Sequence, residues 1–253
     1  MYSLRSPCLG VLAVNDVPNE LKNMSREPEQ LSIEVGEYGA VTALLYAAPK
    51  KNRAGITLIL GHGAGGNQLS AFLRMAANGL ADRGLDVLTF NFLYSERGRG
   101  APDPKPKLEA CYQAVIYAAL RERKLKGNKL AIGGKSMGGR IGSQVAAMPH
   151  AGEIAALVFL GYPLHPPGNL EKMRDAHLKD IKAPMLFLQG SRDAFGTTDE
   201  IRSVIKKHKL PATLYAIEGG DHSFKVPKSA GPQEKVYESV MDEIARWLVT
   251  SLS

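Results

Sequence analysis

The chain has 253 residues, 44% hydrophobic and 23% charged, an ordinary composition for one globular α/β domain with a sizeable core. No run approaches the roughly 18 uninterrupted apolar residues of a membrane span, the opening segment is expected not to act as a secretory leader, and Cys8 and Cys111 stand too far apart for a disulfide framework, so a cytoplasmic protein without a membrane partner is expected. The net charge of +7 does not point to a nucleic-acid partner, because its densest groups (Arg121, Arg123, Lys124 and Lys126, then Lys206, Lys207 and Lys209) read as solvated helix ends.

Residues 1–29 show no periodicity and are expected to form a flexible extension, with Met24 an alternative start to Met1, ahead of a single domain over 30–253. Leu31 to Val35 and Val41 to Ala47 read as an opening antiparallel pair joined at Gly36-Glu37-Tyr38-Gly39. Ile56 to Leu60 is a short buried strand, Ser70 to Arg83 a helix, Asp86 to Phe92 a strand and Lys107 to Lys124 a long helix carrying Cys111 as a buried thiol. Lys129 to Gly133 is a strand, Gly139 to Met148 a helix, and Ala155 to Leu160, Met185 to Gly190 and Ala212 to Ile217 the remaining strands. Helices are expected over Thr198 to His208 and Glu234 to Leu252, the latter with Trp247 as a packing residue.

Alternating strands and helices predict an α/β fold with a mostly parallel central sheet and helices on both faces. The connections Gly61 to Asn67, Ser95 to Pro106, Gly161 to Gly168, Gly190 to Gly196 and Gly219 to Lys228 then fall at the carboxyl edge of that sheet, where such folds bind ligands.

The most informative segment is Leu130-Ala-Ile-Gly-Gly-Lys-Ser-Met-Gly-Gly-Arg140, an apolar strand running into Gly134-Lys135-Ser136-Met137-Gly138. A strand, a sharp turn flanked by glycines and a helix is the sequence form of a nucleophile elbow, which makes Ser136 a candidate nucleophile. A serine hydroxyl attacks a carbonyl only when a base takes its proton and a third group fixes that base. His222, in Gly219-Gly220-Asp221-His222-Ser223, supplies the base, and Asp193, in Ser191-Arg192-Asp193-Ala194-Phe195-Gly196, supplies the acid; both follow predicted strands, in the order Ser, Asp, His. Asp221 is the competing acid, disfavoured because a carboxylate adjacent in sequence to the histidine points elsewhere in most loops.

Two N–H donors are needed for the oxyanion: that of Met137, just after the nucleophile, and one from Gly61-His62-Gly63-Ala64-Gly65-Gly66, for which Ala64 is chosen. His62 is expected to orient that loop or border the substrate, and the loop lacks the Gly-Lys-Ser/Thr ending of a phosphate cradle.

With the elbow, the His-Gly-Ala-Gly-Gly loop, the late Asp and the final His, the chain resembles the α/β-hydrolase superfamily in its lidless, dienelactone-hydrolase-like form, over about residues 30 to 252. Gly133 to Arg140, Gly161-Tyr-Pro-Leu-His-Pro-Pro-Gly168 and Arg192-Asp-Ala-Phe-Gly196 are similar to a branch shared with the hydrolase-like domains of a testis-expressed protein and of a non-specific-lethal chromatin complex subunit. The resemblance implies the same triad without a settled substrate. Dienelactone hydrolase itself uses cysteine, so its lactone chemistry does not transfer to Ser136.

The connection from Gly161 to Lys182 has room for a loop and one helix around Leu170 to Leu178, not for a large cap. Lys135, Tyr162 and His165 join His62 as candidate substrate-binding residues, and Lys135, Arg140, Arg97 and Arg99 leave open either an anionic substrate group or local pairing with Glu96 or Asp103. The expected function is a serine hydrolase acting on a carboxylic ester or thioester of a small molecule, as a monomer or homodimer, with no cofactor and no metal. A catalytically reduced interaction module and an acyltransferase using the same triad are the alternatives.

Overall fold

The computed structural model describes residues 27–149 and 154–253, so nearly all of the expected N-terminal extension lies outside the described residues. Eight strands form one sheet: β1 (Glu29–Glu34), β2 (Ala40–Tyr46), β3 (Ile56–Gly61), β4 (Asp86–Phe90), β5 (Lys129–Lys135), β6 (Ile154–Leu160), β7 (Met185–Gly190) and β8 (Ala212–Ile217). Their spatial order is β1-β2-β4-β3-β5-β6-β7-β8. β1 and β2 are antiparallel, β2 meets β4 antiparallel, and the pairs from β4 through β8 are parallel. The expected domain boundary after residue 29 falls inside β1, since Glu29 already pairs with Leu45.

The inner strands are continuous apolar runs because both faces of a parallel sheet are covered. Along β3, successive side chains alternate between two cores, Ile59 on one face and Leu58 and Leu60 on the other. The Ile59 face is covered by α3 (Lys105–Arg121) through Leu108, Cys111, Tyr112 and Val115, by α4 (Met137–Ala146) through Ile141 and Val145, and by α5 (Thr198–His208) through Ile201 and Val204. The opposite face is covered by α1 (Ala71–Asp82) through Leu73, Ala76 and Leu80, and by α6 (Gln233–Leu252) through Val240, Ile244 and Leu248. Trp247 belongs to this second core, and its indole N–H donates to Thr213 Oγ1 at 3.1 Å. Burial pushes the Cys111 thiol up to about 12, which keeps it an inert packing group. None of the described helices is long and apolar enough to cross a membrane.

From β3 the chain passes to β4 on one side, and later returns to β5 on the other. The loops leaving β3 and β5 therefore diverge at the carboxyl edge and open a crevice between them, the position at which open α/β sheets bind ligands.

Two connections differ from the sequence expectation. A short helix, α2 (Leu93–Glu96), begins inside the segment expected to lead into a loop. The helix expected around Leu170 to Leu178 is absent; the segment is a series of turns ending in a 3-10 turn at Leu178–Asp180. Tertiary partners take the groups that a helix would have used. The Arg174 N–H donates to the Leu164 carbonyl, Tyr162 Oη donates to the Arg174 carbonyl, and Asp175 accepts from Lys207 and His208 of α5. Leu170 and Met173 stay exposed, so no apolar stripe is left to bury.

His177, in the same connection, bonds Ser143 of α4 at 2.8 Å. Burial, with the positive charges of Lys105 and Arg140, lowers its pKa from 6.5 to about 4. The unfolded chain thus binds a proton that the folded chain refuses between these values, so stability is complete above about 6.5 and is lost as the pH falls toward 4. Discounted for residual solvent exposure, the loss is about 1–2 kcal/mol. Thermal melts of wild type and His177→Gln at pH 7 and pH 4.5 are expected to show a smaller acid-induced drop in the variant; equal drops would remove His177 as the cause.

Candidate active site

At the end of β5 the backbone turns at Ser136, whose φ of 51° and ψ of −113° lie in a region that side-chain-bearing residues rarely occupy. The turn throws the side chain off the sheet edge while α4 starts at the next residue. That geometry needs β3 and α4 to approach backbone to backbone, with Gly134 and Gly138 both packed on Gly61.

Ser136, Asp193 and His222 come from three loops, after β5, β7 and β8, and meet in one line. The Asp193 carboxylate only accepts, so His222 carries its proton on Nδ1 and donates to Asp193 Oδ2 at 2.7 Å. Nε2 is left as an acceptor for the Ser136 hydroxyl, 2.8 Å away. Asp193 is buried, and its two oxygens also accept from the Phe195 N–H at 2.8 Å and from Gln189 Nε2 at 2.8 Å. Asp221, the competing acid, faces its own loop, where Oδ1 accepts from the N–H groups of Ser223 and Lys225.

Gln189 was not singled out by sequence reasoning, yet it ties three parts of the site together. Its amide N–H group donates to Asp193 and to the Gly196 carbonyl at 2.6 Å, and its oxygen accepts from the Tyr162 N–H at 2.8 Å. The available signal was a glutamine ending the otherwise apolar run Met185-Leu-Phe-Leu, because a polar group so placed must find partners. Phe195 lies against the His222 imidazole, the two ring centroids 4.3 Å apart.

The hydroxyl faces a cleft of about 530 Å³ whose walls include Gly63, Ala64, Met137, Arg140, Pro163, Arg174 and Phe195. The N–H groups of Met137, the first residue of α4, and of exposed Ala64 donate to no protein acceptor among the described residues. A second cavity of about 490 Å³, with Phe72, Met75 and Tyr237 in its wall, adjoins the first along Gly63, Lys135 and Ser223.

The remaining candidates separate. His62 is buried and fully engaged: Nδ1–H donates to the Gly63 carbonyl at 2.8 Å, and Nε2 accepts the Phe92 N–H at 3.1 Å. Burial lowers its pKa and keeps the ring neutral, so it braces the loop that carries Ala64 and touches the second cavity only with its body. Lys135 lines both cavities, but Nζ donates to the His222 carbonyl at 2.6 Å and sits over the Phe224 ring; burial lowers its pKa to about 8. It thus reaches from the elbow to the histidine loop.

Tyr162 and His165 do not reach the cleft. Tyr162 is fully buried with its hydroxyl on the Arg174 carbonyl, and His165 is buried between the Pro166 carbonyl and Glu200 of α5. Both secure the turn that positions Pro163, because a loop crossing the sheet edge must satisfy its polar groups internally. Arg97 donates to the Tyr38 carbonyl, away from the cleft.

A family profile described as an alpha/beta hydrolase domain matches residues 54–249. Among solved structures, a lidless α/β serine hydrolase from Xanthomonas campestris is 20% identical, with a TM-score of 0.66 over 88% of this chain and 96% of that one. A dienelactone hydrolase from Anabaena variabilis is 19% identical, with a TM-score of 0.68 over 89% and 99%. An esterase from Pyrococcus furiosus is 14% identical, with a TM-score of 0.68 over 100% of both chains. At these identities the three structures establish the shared fold.

Proposed function

Since the chain belongs to the alpha/beta hydrolase domain family, we propose that it is a serine hydrolase that cleaves a carboxylic ester or thioester of a small molecule through an acyl-enzyme. The observation that carries this reading is the unbroken hydrogen-bonded line from the Ser136 hydroxyl through His222 to Asp193.

In the first half-reaction Ser136 Oγ attacks the carbonyl carbon while His222 Nε2 takes the hydroxyl proton. The resulting oxyanion accepts from the Met137 and Ala64 N–H groups, each such donor being worth about a hundredfold in rate. The ester or thioester bond breaks, His222 returns the proton to the departing oxygen or sulfur, and the acyl group stays on Ser136. Water then attacks the acyl carbon, giving its proton to Nε2; the carboxylic acid leaves and the Ser136 hydroxyl is restored. Asp193 holds the imidazole in the tautomer that each step requires and stabilises its charged form.

The test is labelling of the wild-type protein with a fluorophosphonate probe, together with turnover of 4-nitrophenyl acetate. Asp193→Asn preserves the shape but no longer dictates which imidazole nitrogen carries the proton, and is expected to lower kcat about 10⁴-fold. A folded wild type that neither labels nor turns over the ester would overturn the reading. Product analysis with added alcohol separates hydrolysis from acyl transfer, which uses the same three residues.

A further inference from the structure

The cleft beside Ser136 is bordered by four cations, Lys105, Lys135, Arg140 and Arg174, and by one acid, Asp103. Their commitments differ. Lys135 is held by the His222 carbonyl, Lys105 lies 3.4 Å from Glu109, and Asp103 is paired with Lys107 at 3.2 Å. Arg140 and Arg174 have no carboxylate partner among the described residues.

Arg140 lies on the first turn of α4, four residues from the nucleophile, and its backbone N–H bonds the Ser136 carbonyl. Its buried Nε has no acceptor, and its Nη1 reaches only Gln144, at 3.5 Å. Arg174 spends one donor on the Pro163 carbonyl at 3.2 Å. Each guanidinium carries five donors, so most remain uncommitted. The two groups also repel: the field of Arg174, after burial, lowers the pKa of Arg140, and the opposing fields of Tyr162 and Glu109 do not cancel the lowering. Holding two like charges together in a half-buried wall is unfavourable unless something else supplies the opposite charge.

We propose that Arg140 and Arg174 form an oxyanion subsite, so that the substrate is an ester or thioester bearing a carboxylate or phosphate besides its scissile carbonyl. This inference rests on the hydrolase reading and narrows its substrate class. Planar guanidinium forks match either anion with paired hydrogen bonds, which a neutral ester forgoes. The adjoining cavity with Phe72, Met75 and Tyr237 in its wall, which neither arginine lines, offers the apolar remainder of the molecule a place.

The test compares kcat/KM for three esters in one buffer: neutral 4-nitrophenyl butyrate, mono-4-nitrophenyl glutarate, and a 4-nitrophenyl ester whose acyl chain ends in a phosphate. The wild type is expected to prefer at least one anionic ester by about tenfold or more, the stronger arm identifying the anion. In Arg174→Gln and Arg140→Gln the ratio of anionic to neutral kcat/KM falls toward one, and Arg140→Lys, a point charge without the fork, recovers only part of it. Arg174 lies on a loop, so its variant keeps the test available should the Arg140 variants fold poorly. Turnover of the butyrate with no anionic preference, or a preference that survives in Arg174→Gln, overturns the subsite while leaving the hydrolase reading intact; no turnover of any ester and no fluorophosphonate labelling would end both.

Discussion

Ser136→Ala is expected to lower ester turnover by about 10⁴- to 10⁶-fold and to abolish fluorophosphonate labelling, with the melting temperature shifted by no more than a few degrees. The large kinetic effect follows from chemistry: without Oγ there is nothing for His222 to deprotonate and no atom to carry the acyl group. The small stability effect follows from structure. Oγ makes a single hydrogen bond, to His222, in a half-buried position, and its loss leaves a histidine that water can reach. Alanine keeps the backbone strain at φ 51°, whereas glycine removes it. Relief of about 1–2 kcal/mol is offset by about 0.5–1 kcal/mol for the freer unfolded chain, so Ser136→Gly should be inactive and at least as stable as Ser136→Ala. Calorimetry on both variants with an ester assay checks all of this. An alanine variant retaining more than about a hundredth of the wild-type rate would place the nucleophile elsewhere.

Gly138→Ala is expected to cost about 3 kcal/mol of stability and, in the protein that remains folded, about a hundredfold in kcat/KM. A Cβ at residue 138 would stand 2.1 Å from the Gly61 carbonyl oxygen and 2.8 Å from Gly61 Cα, well inside contact distance and against backbone that no rotamer change can clear. At Gly134, where φ is 147°, the same carbonyl would lie 2.2 Å away. Substitution at residue 138 therefore pushes α4 and β3 apart. The elbow and the Met137 N–H move with α4, and the loop bearing Ala64 moves with the end of β3, so the donors cease to converge on one oxygen. Gly100→Ala, with open space around it, is the control and should be neutral in urea denaturation and in activity. A Gly138→Ala protein as stable as the control would show that the contact between β3 and α4 is softer than its geometry implies.

Much of the fold was legible because sheet strands and amphipathic helices announce themselves by period. β7 (Met185–Gly190), β8 (Ala212–Ile217) and α5 (Thr198–His208) start and end where the sequence placed them, the last fixed by a capping box between Thr197 and Glu200. The connection from Gly161 to Pro184 was not legible in the same way. Residues 170–178 look locally helical, but Arg174 bonds back to Leu164, Tyr162 and Pro163 of the same loop while Asp175 and His177 bond to α5 and α4, and no local pattern encodes those partners. Tyr162 and His165 sit on a loop at the sheet edge that carries the site, yet their side chains turn into the protein.

By itself the sequence determined the order of the strands and of the longer helices, the elbow around Ser136, and the candidates Asp193 and His222 on loops at one edge of the sheet, because these depend on local periodicity and on glycines at fixed offsets. Only the tertiary structure decided that Asp193 rather than Asp221 faces His222, that Gln189 secures the acid, that Lys135 holds the histidine loop, and that Arg140 and Arg174 share a wall with no salt bridge to either among the described residues. The reason is physical: a side chain's partners are set by where remote segments cross, and packing fixes those crossings while residue spacing along the chain does not.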